Sequence, residues 1–350
     1  MYVCIMLLTE KYMPTEFNQI IENEYICNLL NDYINQNYIP HMLIHGPHGC
    51  GKSIITDILV NKYLGSYKKN LCMYVYGSIN RGKNIISDYA YKKSTSSDCS
   101  DPNIIYFIKK KEIIPENKTK IIIIYDFDSM VTDTQMAFRR IIEKYTHRVK
   151  FILICNEKES IIEAIQSRVV SIGLNSITGD GIIKHLKYMV KSVKEECCES
   201  QTQSGLDVYY ISDDIYKAIS LISNGDMRCA CNILQVFLHT MRCGYNKISD
   251  FYDLLNQPSI ETIIRIIQLC DKHDLRNSIN ELQNLLLTGY NTHDILSIIL
   301  RTFMYEILFY NNEKKKKIFL SKLIDTIYKS EIAPSDIHIY SLICEWVQIE

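Results

Sequence analysis

Glycine and proline are scarce in this chain, at 13 and 7 among 350 residues. That excludes collagen-like, linker-dominated and low-complexity architectures, whose backbones need both in bulk. No apolar run reaches the roughly 18 residues that a bilayer-crossing helix needs. The opening stretch "MYVCIMLLTEKYMP" has neither a basic n-region nor a small-residue cleavage site, so it reads as neither secreted nor membrane-spanning. Net charge is nearly absent as well: 39 Lys and Arg against 40 Asp and Glu leave −1. No global field marks a nucleic-acid partner, and any such binding must use local patches. Cysteine, by contrast, is plentiful at 13, but the close pairs, Cys197 with Cys198 and Cys229 with Cys231, have neither zinc nor redox spacing. They are expected to be reduced, mostly buried thiols of an intracellular protein.

A hydrophobic content of 47% is enough to bury a substantial core over two or three domains. Abundant Ile, Asn, Lys and Tyr fit an AT-rich coding bias, as in a parasite or a large DNA virus.

Met42 to His45 is a short apolar strand candidate, followed by "GPHGCGKS" (Gly46, Pro47, His48, Gly49, Cys50, Gly51, Lys52, Ser53) and an apolar helix from Ile54. The pattern G-x-x-x-x-G-K-[ST] lets consecutive backbone N–H groups wrap phosphate oxygens, and the helix N-terminus adds its positive dipole end. Lys52 is expected to reach the β and γ phosphates of ATP and Ser53 to bind Mg2+. An ordinary glycine turn is the competing reading.

The run "IIIIYDFD" has the character of a central parallel strand buried on both faces, with acids at its carboxyl end facing a nucleotide. Asp126 and Asp128 are the candidates for holding a metal. A helix over "TDTQMAFRRIIEKY" places Ala137, Phe138, Ile141, Ile142 and Tyr145 on one face and Arg139, Arg140, Glu143 and Lys144 on another. A second buried strand, Phe151 to Cys155, ends at Asn156, whose amide can touch a γ phosphate. Ser167 and Arg168 follow one helix later, where an arginine can stabilise phosphate charge.

At this point the chain resembles the small subunits of the replication factor C clamp loader, members of the AAA+ ATPases. The resemblance spans nearly the whole sequence and is carried by "EKYMPTEF", "IPHMLIHGPHGCGKS", "AFRRIIEKY", "FILICN", "IQSRV", "NGDMRCACNILQ" and "GYNTHDIL". It implies that Tyr12 and Pro14 help hold the adenine, that Asn156 is the sensor-1 residue and Arg228 the sensor-2 residue. It also implies that Arg168 is an arginine finger serving a neighbouring subunit's ATP site.

The chain departs from the family in three places. Met13 replaces an Arg, and Val169 follows the finger arginine where the family has Cys. Counted back from "DSM", the family's D-E-A-D reads Tyr125, Asp126, Phe127, Asp128. Tyr125 then stands at the metal-linked Asp and Asp126 at the catalytic Glu. ATP binding with weak or absent hydrolysis is the expectation, and a mainly architectural, non-hydrolysing loader subunit is the alternative. A different AAA+ machine, such as a branch-migration helicase subunit, is a third reading.

The resemblance implies an α/β fold, an AAA+ P-loop core of parallel sheet flanked by helices. A small helical lid and an all-α collar follow, with boundaries at 1–174, 175–245 and 246–350. Within the lid, Lys194 to Asp207 is unperiodic and is expected to be a loop. A polar stretch between Tyr91 and Lys120 is expected to be a mobile loop. Arg81 and Lys83 are candidates for tracking DNA phosphates, and one of Arg139 and Arg140 can face DNA while the other pairs with an acid. Implied partners are the other subunits of a hetero-pentamer, a sliding clamp and primer-template DNA, with no membrane. The implied place is the nucleus, or a cytoplasmic replication site if the chain is virus-encoded. Trp346 is expected either in the core or at a subunit interface.

Overall fold

The computed structural model describes residues 7–79, 104–110, 118–199, 211–241, 248–304 and 313–348. Five parallel strands form one sheet in the order β2-β3-β4-β1-β5. They are β1 (Met42–His45), β2 (Cys72–Tyr76), β3 (Lys120–Tyr125), β4 (Val149–Cys155) and β5 (Val170–Gly173). Before and between them run α1 (Leu8–Lys11), α2 (Glu24–Asn35), α3 (Lys52–Leu64), α4 (Lys68–Leu71), α5 (Ile104–Lys109), α6 (Thr132–Tyr145) and α7 (Glu163–Gln166).

Side-chain alternation along β3 explains the isoleucine run. Ile121 and Ile123 pack with α2 and α3 on one face, while Ile122 and Ile124 pack with α5 and α6 on the other. All four are fully buried, and each is worth about 1.5–3 kcal/mol relative to exposure. The apolar face of α6 is the one the periodicity predicts, with Phe138, Ile141 and Ile142 buried.

Two compact units divide the chain: residues 1–181 with 225–228, and residues 182–224 with 229–350. The helices after the sheet are α8 (Gly179–Glu199), α9 (Asp213–Ser223), α10 (Met227–Met241), α11 (Ile248–Leu255), α12 (Ile260–Asp271), α13 (Leu275–Leu287), α14 (Thr292–Met304), α15 (Glu313–Ile332) and α16 (Ile337–Val347). The expected loop at Lys194 to Asp207 is corrected in part, because α8 continues to Glu199. Its Lys and Glu residues are good helix formers even without apolar periodicity. Trp346 is a core residue of the second unit, 5% exposed. Its ring lies 3.7 Å from Phe319, and its Nε1 donates to Asp271 Oδ1 at 3.1 Å. The expected mobile loop at 91–120 falls largely outside the described residues, but it is corrected at Ile104–Lys109, which forms α5 and buries Ile104 and Ile108 against the sheet.

His41, just before β1, is buried, and its Nδ1 accepts the backbone N–H of Phe151 at 3.1 Å. That bond requires an unprotonated Nδ1. Burial, with the nearby Lys150 charge, pulls the imidazole from its ordinary 6.5 down to about 4. The folded state therefore resists protonation while the unfolded chain accepts it, so stability is intact above pH 6.5 and is lost as pH falls toward 4. The loss is of order 3 kcal/mol. Urea unfolding at pH 7, 5 and 4 checks this; His41→Gln is expected to flatten the pH dependence, and an unchanged dependence would refute the assignment.

Candidate functional site: a glycine cradle beside an aromatic stack

Between β1 and α3 the chain turns back on itself with three glycines in conformations that side chains rarely adopt: Gly46 at φ 150, Gly49 at φ 68 and Gly51 at φ 94. Two of them are also closely approached. A Cβ on Gly46 would lie 2.4 Å from the Leu174 carbonyl oxygen, and one on Gly49 would lie 1.8 Å from Asp226 Oδ1. Gly51 is the N-cap of α3, so the first-turn N–H groups of Lys52 and Ser53 open toward the loop. The geometry is that of an anion cradle at a helix N-terminus.

The Lys52 ammonium is folded back over the cradle and donates to the carbonyl oxygens of Gly46 and Pro47, each at 2.7 Å. Burial pulls it below its ordinary range, and the Asp128 and Asp126 carboxylates oppose that pull. Cys155 is itself pushed up to about 12 by burial and by Asp128, which makes it a neutral packing group rather than a nucleophile.

Asp128 is anchored: its Oδ2 accepts the backbone N–H of Asn156 at 2.9 Å, tying the end of β3 to the end of β4. Asp126 is exposed, sits in the left-handed region at φ 50, and its carbonyl accepts from the Ser129 hydroxyl at 2.7 Å. A non-glycine residue in that conformation marks local strain next to the cradle.

Tyr125 lies on the α3 face of the sheet, as alternation from Ile121 and Ile123 requires. Its ring stacks on Tyr76 at 5.2 Å and on Tyr74 at 6.2 Å, and the Tyr74 hydroxyl donates to Asp57 Oδ1 on α3 at 3.2 Å. Burial raises the Tyr125 phenol above its ordinary range, so it carries no charge here.

The remaining sites named from sequence lie on other elements. Half-buried Tyr12 follows α1, with Lys11 Nζ 5.3 Å from its ring, and Pro14 is half-buried nearby in the chain. Arg228 is exposed in the first turn of α10. Arg168 Nε contacts Glu143 Oε1 on α6 at 2.6 Å, and its Nη1 donates to the Ala164 carbonyl at 2.7 Å. Of the two neighbouring arginines on α6, Arg139 is the paired one, 3.2 Å from the same Glu143 oxygen. Arg81 and Lys83 lie outside the described residues. Two features escaped the sequence reading. Asp226 over Gly49 had as its signal an acid in the turn before a helix, and Glu143 between two arginines had only the helical spacing from Arg139.

A parallel sheet whose first strand feeds a glycine cradle and a helix N-terminus is a P-loop fold, and with the many helices that follow the sheet it is of the AAA+ type. A RuvB mutant from Thermotoga maritima shares the fold, with a TM-score of 0.51 at 14% identity over 73% of this chain and 78% of that one. The profile of a family described as DNA polymerase III, delta subunit, matches residues 22–178. A probable replication factor C subunit 2 of Dictyostelium discoideum is 30% identical over 83% of this chain and 77% of its own length. Replication factor C subunit 5 of Homo sapiens is 28% identical over 95% of this chain and 89% of its own. The chain belongs to the replication factor C small-subunit family.

Gly49→Ala is expected to destabilise the protein by more than about 1 kcal/mol, from the left-handed backbone alone. The contact with Asp226 adds to that cost. Thermal unfolding of Gly49→Ala, Asp226→Ala and the double variant tests this. Partial rescue in the double variant is expected, and strict additivity would exclude the contact as a cause.

Proposed function

We propose that this chain is an ATP-binding subunit of a replication factor C-like clamp loader. It helps place a sliding clamp on primer-template DNA and supplies Arg168 to a neighbouring subunit's ATP site. Clamp loading is supported by the family relationship along most of the chain. ATP binding is supported by the cradle, whose glycine positions a Cβ would fill and whose Lys52 is already folded over it. Tyr12, Pro14, Asn156 and Arg228 are the residues proposed to complete the nucleotide's surroundings, and Arg81 and Lys83 to follow DNA.

The donor set for a cation is thin. The Ser53 hydroxyl and the Asp126 carboxylate suit Mg2+ held chiefly by nucleotide phosphates. No group of three or more His, Cys, Asp or Glu converges among the described residues. Bound Mg2+ would neutralise phosphate charge. Asp126, one methylene shorter than a glutamate, has the task of orienting water. Such a shortening retracts the carboxylate by about an ångström, which can cost roughly a hundredfold.

The observation that carries the weak-hydrolysis reading is Tyr125. An uncharged ring, stacked between Tyr74 and Tyr76, fills the strand-end position where hydrolysing relatives of the family keep an Asp. The same stack favours the second reading, an architectural subunit whose nucleotide is structural. Assembly is supported by α15, where Ile324, Tyr328 and Ile332, four residues apart, are 56%, 64% and 68% exposed. We take residues 175–245 as the lid and 246–350 as the collar through which a hetero-pentamer forms. The eukaryotic relatives support a place in nuclear replication, and a virus-encoded chain would act at cytoplasmic replication sites.

In a reconstituted complex with all other ATP sites silenced, this subunit is expected to bind ATP yet turn it over at least about a hundredfold more slowly than an intact site. Tyr125→Asp combined with Asp126→Glu is expected to raise the rate. Ordinary turnover by the unaltered site would sink the reading. Separately, Ile324→Asp with Ile332→Asp should block incorporation into the complex as followed by sedimentation, leaving the folded subunit intact.

A further inference from the structure

Arg168 is tied to its own chain on two of its three nitrogens. Nε contacts Glu143 Oε1 at 2.6 Å, and Nη1 reaches both the Ala164 carbonyl at 2.7 Å and the Ser167 hydroxyl at 3.1 Å. The third nitrogen, Nη2, makes no hydrogen bond among the described residues. Glu143 is in turn held by Arg139 Nε, 3.2 Å from the same oxygen and one helical turn away on α6. The carboxyl of Glu143 is held below its usual range, first by the hydrogen bond from Arg139 and also by Arg168, so it is ionised at neutral pH.

We propose that Glu143 is the positioning residue for the Arg168 guanidinium, fixing its plane so that Nη2 is the nitrogen left to meet a phosphate of the neighbouring subunit's nucleotide. The proposal rests on the reading of Arg168 as an arginine acting in trans.

A long side chain reaching across a subunit boundary samples many rotamers, and a finger is useful only when its donors are already aimed. Hydrogen bonds at Nε and at Nη1, on two different edges of the planar group, do that aiming. Arg139 keeps the aiming carboxylate in one rotamer, so α6 carries the orientation of a residue that lies beyond α7. Ion pairs this exposed add little to folding stability. Removing Glu143 should therefore alter the finger's geometry without unfolding the subunit.

The test is the reconstituted loader in which only the neighbouring ATP site is active, with kcat and KM for ATP measured at that site. Arg168→Ala is expected to lower kcat by about a thousandfold or more. Glu143→Ala should lower kcat by roughly ten- to a hundredfold and leave KM unchanged. Glu143→Gln, which keeps an acceptor oxygen without the charge, should fall between that variant and the native protein. In an Arg168→Ala background, Glu143→Ala should cost nothing further, a non-additivity that a merely structural role would not produce. If Glu143→Ala fails to assemble, the isosteric Glu143→Gln carries the same comparisons. No effect of Arg168→Ala would overturn the trans-acting reading and this proposal with it. A large effect of Arg168→Ala with none from either Glu143 variant, or with losses that multiply in the double variant, would overturn the proposal for Glu143 alone.

Discussion

The site depends on the burial of β3 from both sides. Ile121, Ile122, Ile123 and Ile124 are each fully buried, alternately against α3 and α6. A slip of one residue would exchange the two faces throughout. This register directs Tyr125 to the α3 side and lets the chain leave the sheet at Asp126, in a left-handed turn beside the cradle. It also brings Asp128 to the Asn156 N–H at 2.9 Å, so the ends of β3 and β4 are fixed relative to each other by a charge-assisted bond. The positions of the acids thus follow from hydrophobic alternation.

Much of this was legible in the sequence. The isoleucine run, the glycine loop and the apolar spacing of "AFRRIIEKY" are local signals, and local periodicity is what sequence reads well. The glycines could be identified as necessary from the loop pattern, but the reason for Gly49 could not. The Asp226 carboxylate that excludes a Cβ there comes from 177 positions further along the chain. Glu143 is a similar case. Its spacing from Arg139 marks an ordinary helical ion pair, whereas its bond to Arg168 depends on how α7 returns toward α6. The end of α8 was missed for a different reason: Lys, Glu and Ser without apolar periodicity resemble a loop, although Lys and Glu favour helix.

The two charged groups suited to phosphate are treated differently by the fold. Lys52 is nearly buried, satisfied by two loop carbonyls, and lies within the field of Asp128 and Asp126. Arg168 is about one-third exposed and is held by a carboxylate from a different helix. A buried ammonium with its partners in place is preorganised for a ligand inside its own cradle. A surface guanidinium held at Nε and Nη1 with Nη2 left over is suited to a ligand held by another chain.

Under the proposed function, retaining the cradle while placing tyrosine at the end of β3 separates two properties that P-loop folds commonly join. In the proposed function, affinity for phosphate rests on backbone N–H groups and Lys52, none of which Tyr125 touches among its stacking contacts. Turnover needs a metal-linked carboxylate and an oriented water, and both would have to act where an uncharged ring packs against Tyr74 and Tyr76. Substituting the ring alone would leave Asp126 one methylene short of a glutamate. Substituting Asp126 alone would leave a phenol where the family keeps a carboxylate, so the proposed loss of hydrolysis rests on both positions and the proposed binding on neither.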